Sequence, residues 1–97
     1  MTDLAIANTI KQQIHSLDPL FFGAVAAHEF MGGERKLTFK VRRNPKLSHV
    51  KVIIELERSD LYKITIGRVR KSEWKVLYEI DGVYWDSLAE ILNREIG

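Results

Sequence analysis

The chain has 97 residues, no cysteine and a formal net charge of +2 at neutral pH. The lack of cysteine excludes disulfides, thiolate metal sites and cysteine nucleophiles, and no apolar run approaches the roughly 20 residues that cross a bilayer. This length is typical of one domain, so we expect a single domain over residues 1–97. Because Met1-Thr2-Asp3 does not resemble the start of a signal peptide, and a chain without cysteine suits a reducing compartment, we expect a cytoplasmic protein.

The first predicted element is a helix from Asp3 to Leu17. Its apolar residues recur at steps of three and four, which places them on one stripe of a helix. The stripe comprises Leu4, Ala7, Ile10, Ile14 and Leu17. Thr2 or Asp3 can cap the start, and Asp18-Pro19 ends the helix because the residue before a proline avoids helical backbone angles.

The segment from Phe21 to Phe30 is compatible with a strand or with a helix. Its small residues suit either a strand that a helix crosses closely or a helix. We favour the strand, which would place Phe21 and Val25 on the open face of a sheet. Met31 to Glu34 is predicted to be a turn, because its paired glycines accept the positive φ of a tight reversal.

Four later runs alternate apolar and polar residues, which predicts strands with one buried face. Their apolar positions are Leu37, Phe39 and Val41; Val50, Val52, Ile54 and Leu56; Tyr62, Ile64 and Ile66; and Trp74, Val76, Tyr78 and Ile80. The breaks between the runs are short and polar, and short links suit antiparallel neighbours. Asp81-Gly82 is predicted to turn the chain out of the sheet.

A closing helix is predicted to begin at Asp86 or Ser87, where Ser87-Leu88-Ala89-Glu90 matches a capping box. The predicted fold class is therefore α+β. It consists of an N-terminal helix, a five-stranded antiparallel meander and a C-terminal helix, with both helices on one face of the sheet.

Keeping the apolar side chains on one face predicts the register of each hairpin. The open face then carries three rows: Lys36, Glu55, Lys63 and Glu79; Thr38, Ile53, Thr65 and Leu77; and Lys40, Lys51, Gly67 and Lys75. The first row alternates in sign, whereas the third is positive or neutral. Like charges opposed across strands are mildly destabilising, and a function would explain that cost.

The charge is also polarised along the chain. From Arg35 to Lys75 there are thirteen basic and four acidic residues, a formal charge of +9, and the rest of the chain carries −7. Eight basic residues without a predicted acidic partner gather at one end of the sheet. They are Lys40, Arg42, Arg43, Lys46, Lys51, Arg70, Lys71 and Lys75.

Basic side chains that neutralise phosphates release counterions, so we expect this end to bind nucleic acid or another polyanion. A charged face that is simply solvated is the alternative. No aromatic residue stands in the third row, which argues against a stacking platform for single strands. Arg68 is predicted to lie level with Trp74 on the inner face, where its guanidinium can stack on the indole.

A second function is compatible with the same sheet. Ile53, Thr65 and Leu77 form a mildly apolar stripe, which could serve as an interface with a second copy of the chain or with a host protein. Such a module would act as a dimer or as an inhibitor of a host factor.

The titratable residues do not indicate an enzyme. His15, His28 and His49 lie on different predicted elements without metal-ligand spacing. Glu55, Glu57 and Asp60 surround one hairpin and are expected to be exposed, which does not favour acid–base chemistry. We therefore expect no catalytic activity, no cofactor and no metal site.

The stretch from Phe21 to Glu95 resembles a family of small, largely uncharacterised bacterial proteins that are often encoded near phage or other mobile elements. The resemblance rests on Phe30, Leu37-Thr38-Phe39-Lys40, Val50-Lys51-Val52, Asp60-Leu61-Tyr62, Arg68-Val69-Arg70, Gly82-Val83-Tyr84, Asp86 and Leu88. It implies a bacterial or phage protein of the cytoplasm, and it implies no activity.

Overall fold

The structure is a computed structural model that describes residues 4–42 and 50–96, except for the side chains of Leu4 and Arg70. The helices are α1 (Leu4–Leu17), α2 (Phe21–Ala24) and α3 (Leu88–Ile96), the last preceded by a 3-10 helix (Trp85–Ser87). The strands are β1 (His28–Gly33), β2 (Lys36–Val41), β3 (Val50–Leu56), β4 (Tyr62–Arg70) and β5 (Glu73–Val83). They form one antiparallel sheet in the order β1-β2-β3-β4-β5, which confirms the α+β meander.

Both long helices pack on one face of the sheet, hereafter the inner face. α1 lies against β1 and β2 and also contacts α3. Its buried residues Ala7, Ile10 and Ile14 belong to the same core cluster as Leu88 and Leu92 of α3. The middle of the predicted stripe is therefore covered by the sheet and by α3, whereas Leu17 at its end is 37% exposed. No helix within residues 4–42 and 50–96 is long and apolar enough to cross a membrane.

The strand predicted over residues 21–30 is wrong in its first half. Phe21 to Ala24 form the single helical turn α2, and β1 begins only at His28. Phe21 and Val25 are buried in the core rather than placed on the open face. The positive φ of Ala26 turns the chain between the two elements, and the amide of Arg42 donates to the carbonyl of Val25 at 3.1 Å.

The turn of the first hairpin, predicted at Met31 to Glu34, lies further along the chain. Gly32 and Gly33 stay in β1, and the reversal occurs at Glu34 and Arg35, where Arg35 adopts a φ of 60°. The Arg35 guanidinium offsets this strain by donating to the carbonyls of Leu56 at 3.1 Å and Glu57 at 3.2 Å. The turn is thus held by the far end of β3, which the local sequence does not reveal.

The central registers match the prediction. Lys40 lies opposite Lys51 and Lys36 opposite Glu55, and Ile53 lies opposite Thr65 with Lys51 opposite Gly67. Each pairing keeps the apolar residues on the inner face. A slip by one residue would expose that whole set, so the alternation specifies the register strongly.

The predicted register between β4 and β5 is wrong. Thr65 lies opposite Glu79 rather than Leu77, and Gly67 lies opposite Val76 rather than Lys75. Two features cause the change. The connecting turn has two residues, Lys71 and Ser72, both with positive φ as a tight hairpin requires, and an irregularity between Ile66 and Gly67 adds one residue to β5.

A second irregularity replaces the turn predicted at Asp81-Gly82. β5 continues to Val83, which lies opposite Tyr62, while Ile80 lies opposite Ile64. Gly82 has a φ of 64°, the conformation for which glycine is suited. The glycine therefore forms a bulge within the strand.

Tyr62 connects this part of the sheet to α1. The residue is buried, and its hydroxyl donates to Oε1 of Gln13 at 2.8 Å. Burial raises the pKa of Tyr62 from its ordinary value of 10.0, since the buried site disfavours the phenolate. The protonated Tyr62 hydroxyl therefore contributes fully to the free energy of unfolding below about pH 10. This contribution is lost as the pH rises through the higher pKa of the folded state.

We expect Tyr62→Phe to lower the free energy of unfolding at pH 7 by about 0.5–1.5 kcal/mol, because the hydrogen bond is lost. Above pH 10 the difference from the wild type should shrink, since only the wild type then has a phenol to ionise. Urea unfolding of both proteins from pH 7 to pH 12 measures the difference in their free energies of unfolding. The effects of the other ionisable groups cancel in this difference, because both proteins contain them. A difference that stays constant up to pH 12 would contradict the prediction.

Candidate functional site

Three basic residues meet at one end of the sheet around a cleft of about 450 Å³, hereafter the basic cleft. Its described lining residues are His28, Glu29, Lys40, Val41, Arg42, Val50, Lys51 and Val69. The pairing of Lys40 with Lys51 positions two ammonium groups on adjacent strands of the outer face, the face that the helices do not cover. Arg42 follows β2 and is exposed. Cations from three positions therefore converge on one depression.

Glu29 is the one carboxylate among the described residues that line the basic cleft. Its Oε1 lies 3.2 Å from Nζ of Lys40, and its Oε2 lies 3.7 Å from Nε2 of His28. Glu29 occupies the irregular part of β1 with a φ of 53°. One acidic side chain thus offsets one of the three cations and leaves the described lining with excess positive charge.

The structure brings together three of the eight basic residues predicted for the site, namely Lys40, Arg42 and Lys51. Lys71 is exposed in the β4–β5 turn. Arg70 ends β4, but its side chain is outside the description, and Arg43 and Lys46 lie outside the described residues.

Lys75 leaves the predicted row because of the changed register. It lies opposite Arg68, on the side of the sheet that carries Ile64 and Ile66. Arg68 is partly buried, and its Nε is shielded from solvent without a hydrogen-bond partner among residues 4–42 and 50–96. The guanidinium does not lie level with Trp74 as predicted, because Trp74 is opposite Val69.

Val76 takes the place opposite Gly67 that the sequence assigned to Lys75, and Trp74 lies beside it on the outer face, opposite Val69. A Cβ placed on Gly67 would lie 2.5 Å from Cη2 of Trp74, so the indole lies directly against the glycine backbone. Nζ of Lys51 is 5.9 Å from the centroid of the Trp74 ring, and 41% of Trp74 is exposed. An aromatic residue therefore borders the basic cleft on the outer face, contrary to the prediction.

The sequence did not predict the outward position of Trp74, because a single apolar–polar alternation was assumed for the whole of β5. The run Val76-Leu77-Tyr78 has three consecutive apolar residues, which breaks period two and was the available signal for a bulge. Residues on the two sides of the extra position point to opposite faces. Trp74 and Val76 consequently lie on the outer face, and Tyr78 and Ile80 lie opposite Ile66 and Ile64.

The apolar row predicted as a protein interface is altered by the same shift. Ile53 and Thr65 are half-buried on the outer face, but Leu77 packs against the core cluster. Glu79 takes its place beside Thr65 and forms an ion pair with Lys63 at 3.4 Å. This hydrogen-bonded carboxylate raises the pKa of Lys63. The row therefore ends in charge rather than in an apolar residue.

The described residues contain no group of three or more His, Asp or Glu side chains able to hold a metal ion. Comparisons of the chain with models of protein families, with curated proteins and with solved structures found no match.

Proposed function

We propose that this protein is a binding module without catalytic activity that engages nucleic acid through the basic cleft. The observation that supports the proposal is the pairing of Lys40 with Lys51 across two strands around a cleft that Arg42 also lines. Opposed ammonium groups on a sheet are destabilising. An anionic ligand between them would remove this repulsion, and its phosphates would release counterions on binding.

The surroundings of the cleft fit an extended anionic ligand. The helices described within residues 4–42 and 50–96 pack on the inner face, so they do not obstruct a strand of nucleic acid on the outer face. Lys71 lies in the β4–β5 turn, which follows Val69 of the cleft wall by two residues. The proposal includes the bacterial or phage origin and the cytoplasmic location that the resemblance of Phe21 to Glu95 implies.

A salt titration tests the proposal. We expect the wild type to bind a single-stranded oligonucleotide at low salt, with an affinity that falls as the salt concentration rises. The double variant Lys40→Ala/Lys51→Ala should bind more weakly, and the slope of log affinity against log salt should fall by roughly 1.4, about 0.7 for each lost phosphate contact. Fluorescence anisotropy of a labelled oligonucleotide measures both quantities.

Two variants make the test specific to the cleft. Lys36→Ala removes one positive charge from the opposite end of the outer face, where Lys36 lies beside Glu55, and should leave the slope nearly unchanged. Glu29→Gln should strengthen binding, because it frees Lys40 from its ion pair. Equal losses from Lys36→Ala and from the cleft variants, or no binding at low salt, would overturn the proposal.

An interface through Ile53 and Thr65 is the rival prediction. Sedimentation of the wild type and of Ile53→Lys distinguishes the two, since only the interface requires a dimer or partner complex that the lysine disrupts. Ile53 is preferable to Leu77 for this purpose because Leu77 packs against the core.

A further inference from the structure

Trp74 is a large apolar side chain that is partly exposed beside the basic cleft. It is 41% exposed and lies on the outer face, although the core cluster is on the inner face. Val69 and Val76 beside it are exposed by 58% and 46%. These three residues form an apolar patch, hereafter the Trp74 patch, next to the basic cleft.

The indole of Trp74 packs directly on the backbone of Gly67. The nearest atoms to a Cβ placed there are Cη2 and Cζ2 of Trp74, at 2.5 and 2.6 Å, followed by the carbonyl oxygen of Lys75 at 2.7 Å. No side chain other than hydrogen fits at Gly67 without moving the ring or the backbone. Glycine weakens a strand interior and often marks a close approach. Here it allows a flat aromatic ring to lie against the sheet.

Lys51 connects the Trp74 patch with the basic cleft. Its ammonium lies 5.9 Å from the ring centroid, and the same residue lines the cleft with Lys40. A ligand that touches both regions must present a flat apolar group and a negative charge a few ångströms apart. Single-stranded nucleic acid has this composition, because each base is flanked by phosphates. A duplex buries the faces of its bases, and a polyanion without bases has nothing to place on the indole.

Resting on the proposed binding of nucleic acid, we propose that Trp74 stacks on a base of a single strand while the flanking phosphates bind Lys51 and Lys40. The module thereby selects single-stranded over double-stranded nucleic acid. Stacking tolerates every base, because every base has a π face. The selection is therefore for unpaired strands and not for a particular sequence.

The first experiment uses the protein with its native residues in the proposed site. Trp85→Phe leaves Trp74 as the only indole, since the chain has two tryptophans. Oligo-thymidylate, a duplex of the same length and an abasic oligonucleotide of the same length are titrated at low salt. We expect oligo-thymidylate to quench the Trp74 fluorescence and to bind at least fivefold more tightly than the abasic strand, and we expect the duplex to bind more weakly than the single strand.

The second experiment changes the ring. Trp74→Ala should weaken binding of oligo-thymidylate about 5- to 150-fold, the range expected for one stacked base. It should leave the affinity for the abasic strand within about twofold. Trp74→Phe keeps an aromatic face and should retain most of the binding. Trp85→Ala removes an exposed indole from the 3-10 helix and should have no effect. Circular dichroism establishes that each variant is folded.

The outcomes separate the two proposals. If oligo-thymidylate and the abasic strand bind equally well, or if Trp74→Ala binds oligo-thymidylate like the wild type, the stacking proposal is overturned and phosphate binding stands. If none of the ligands binds at low salt, both proposals fall. Loss of abasic binding in Trp74→Ala would show that the ring acts by shaping the cleft, which also overturns stacking.

Discussion

Phe39→Ala is expected to lower the free energy of unfolding by about 3–5 kcal/mol. Phe39 lies in the middle of β2 with 0% of its surface exposed. Its ring centroid is 5.5 Å from that of Phe22 and 5.5 Å from that of Phe30. It therefore joins α2, β1 and β2, and its removal leaves a cavity at the junction of three elements. Domains of this size have a total stability of about 5–15 kcal/mol, so the variant loses a large share of it.

Chemical denaturation at neutral pH measures this loss. Phe39→Leu should lose less, because it retains part of the buried volume. Met31→Ala changes a residue that is 60% exposed on the neighbouring strand and should stay within about 0.5 kcal/mol of the wild type. A loss below 1 kcal/mol for Phe39→Ala would contradict the packing of the three aromatic rings.

Gly67→Ala is expected to destabilise the protein by about 1–3 kcal/mol, the usual cost of overpacking. The added methyl group would lie 2.5 Å from Cη2 of Trp74 and 2.7 Å from the carbonyl oxygen of Lys75. The ring can move, but the backbone of β5 resists. The variant should therefore displace Trp74 from the sheet as well as lose stability.

The matched control is Gly23→Ala. A Cβ at Gly23 meets nothing within 4 Å, and the residue lies in the helical turn α2. Alanine favours helix over glycine by up to about 1 kcal/mol, so this variant should be neutral or more stable. In the Trp85→Phe background, the emission of Trp74 should shift in Gly67→Ala and stay constant in Gly23→Ala. An unchanged emission with unchanged stability in Gly67→Ala would contradict the contact between ring and glycine.

Most of the strand pairing in the sheet follows from the alternation of apolar and polar residues within each strand. The pairs Lys40 with Lys51 and Lys51 with Gly67 were predictable because β2, β3 and β4 each expose one polar face and bury one apolar face. A shift of one residue would reverse both faces at a large cost in hydrophobic burial. For the same reason, the sequence alone indicated the cationic pair at the centre of the candidate site.

The wrong predictions have a different cause. They concern segments whose own residues allow two conformations, and contacts with residues distant in sequence select one of them. Phe21 to Ala24 are helical because Phe22 packs edge-on against Phe30 and Phe39, and small residues by themselves do not distinguish helix from strand. The bulge in β5 depends on Gly67 of the neighbouring strand, which gives the indole of Trp74 a place to lie.

The fold class, the order of the strands and the pairing of Lys40 with Lys51 thus follow from the sequence alone. These features depend on the periods of two and of three to four residues, which each segment carries in its own residues. Packing between strands, by contrast, places Trp74 on the outer face beside Lys51 and Lys75 on the side of Arg68. One extra residue in the edge strand β5 reverses the face on which each preceding side chain of that strand lies. The position of this extra residue is set by packing against the neighbouring strand.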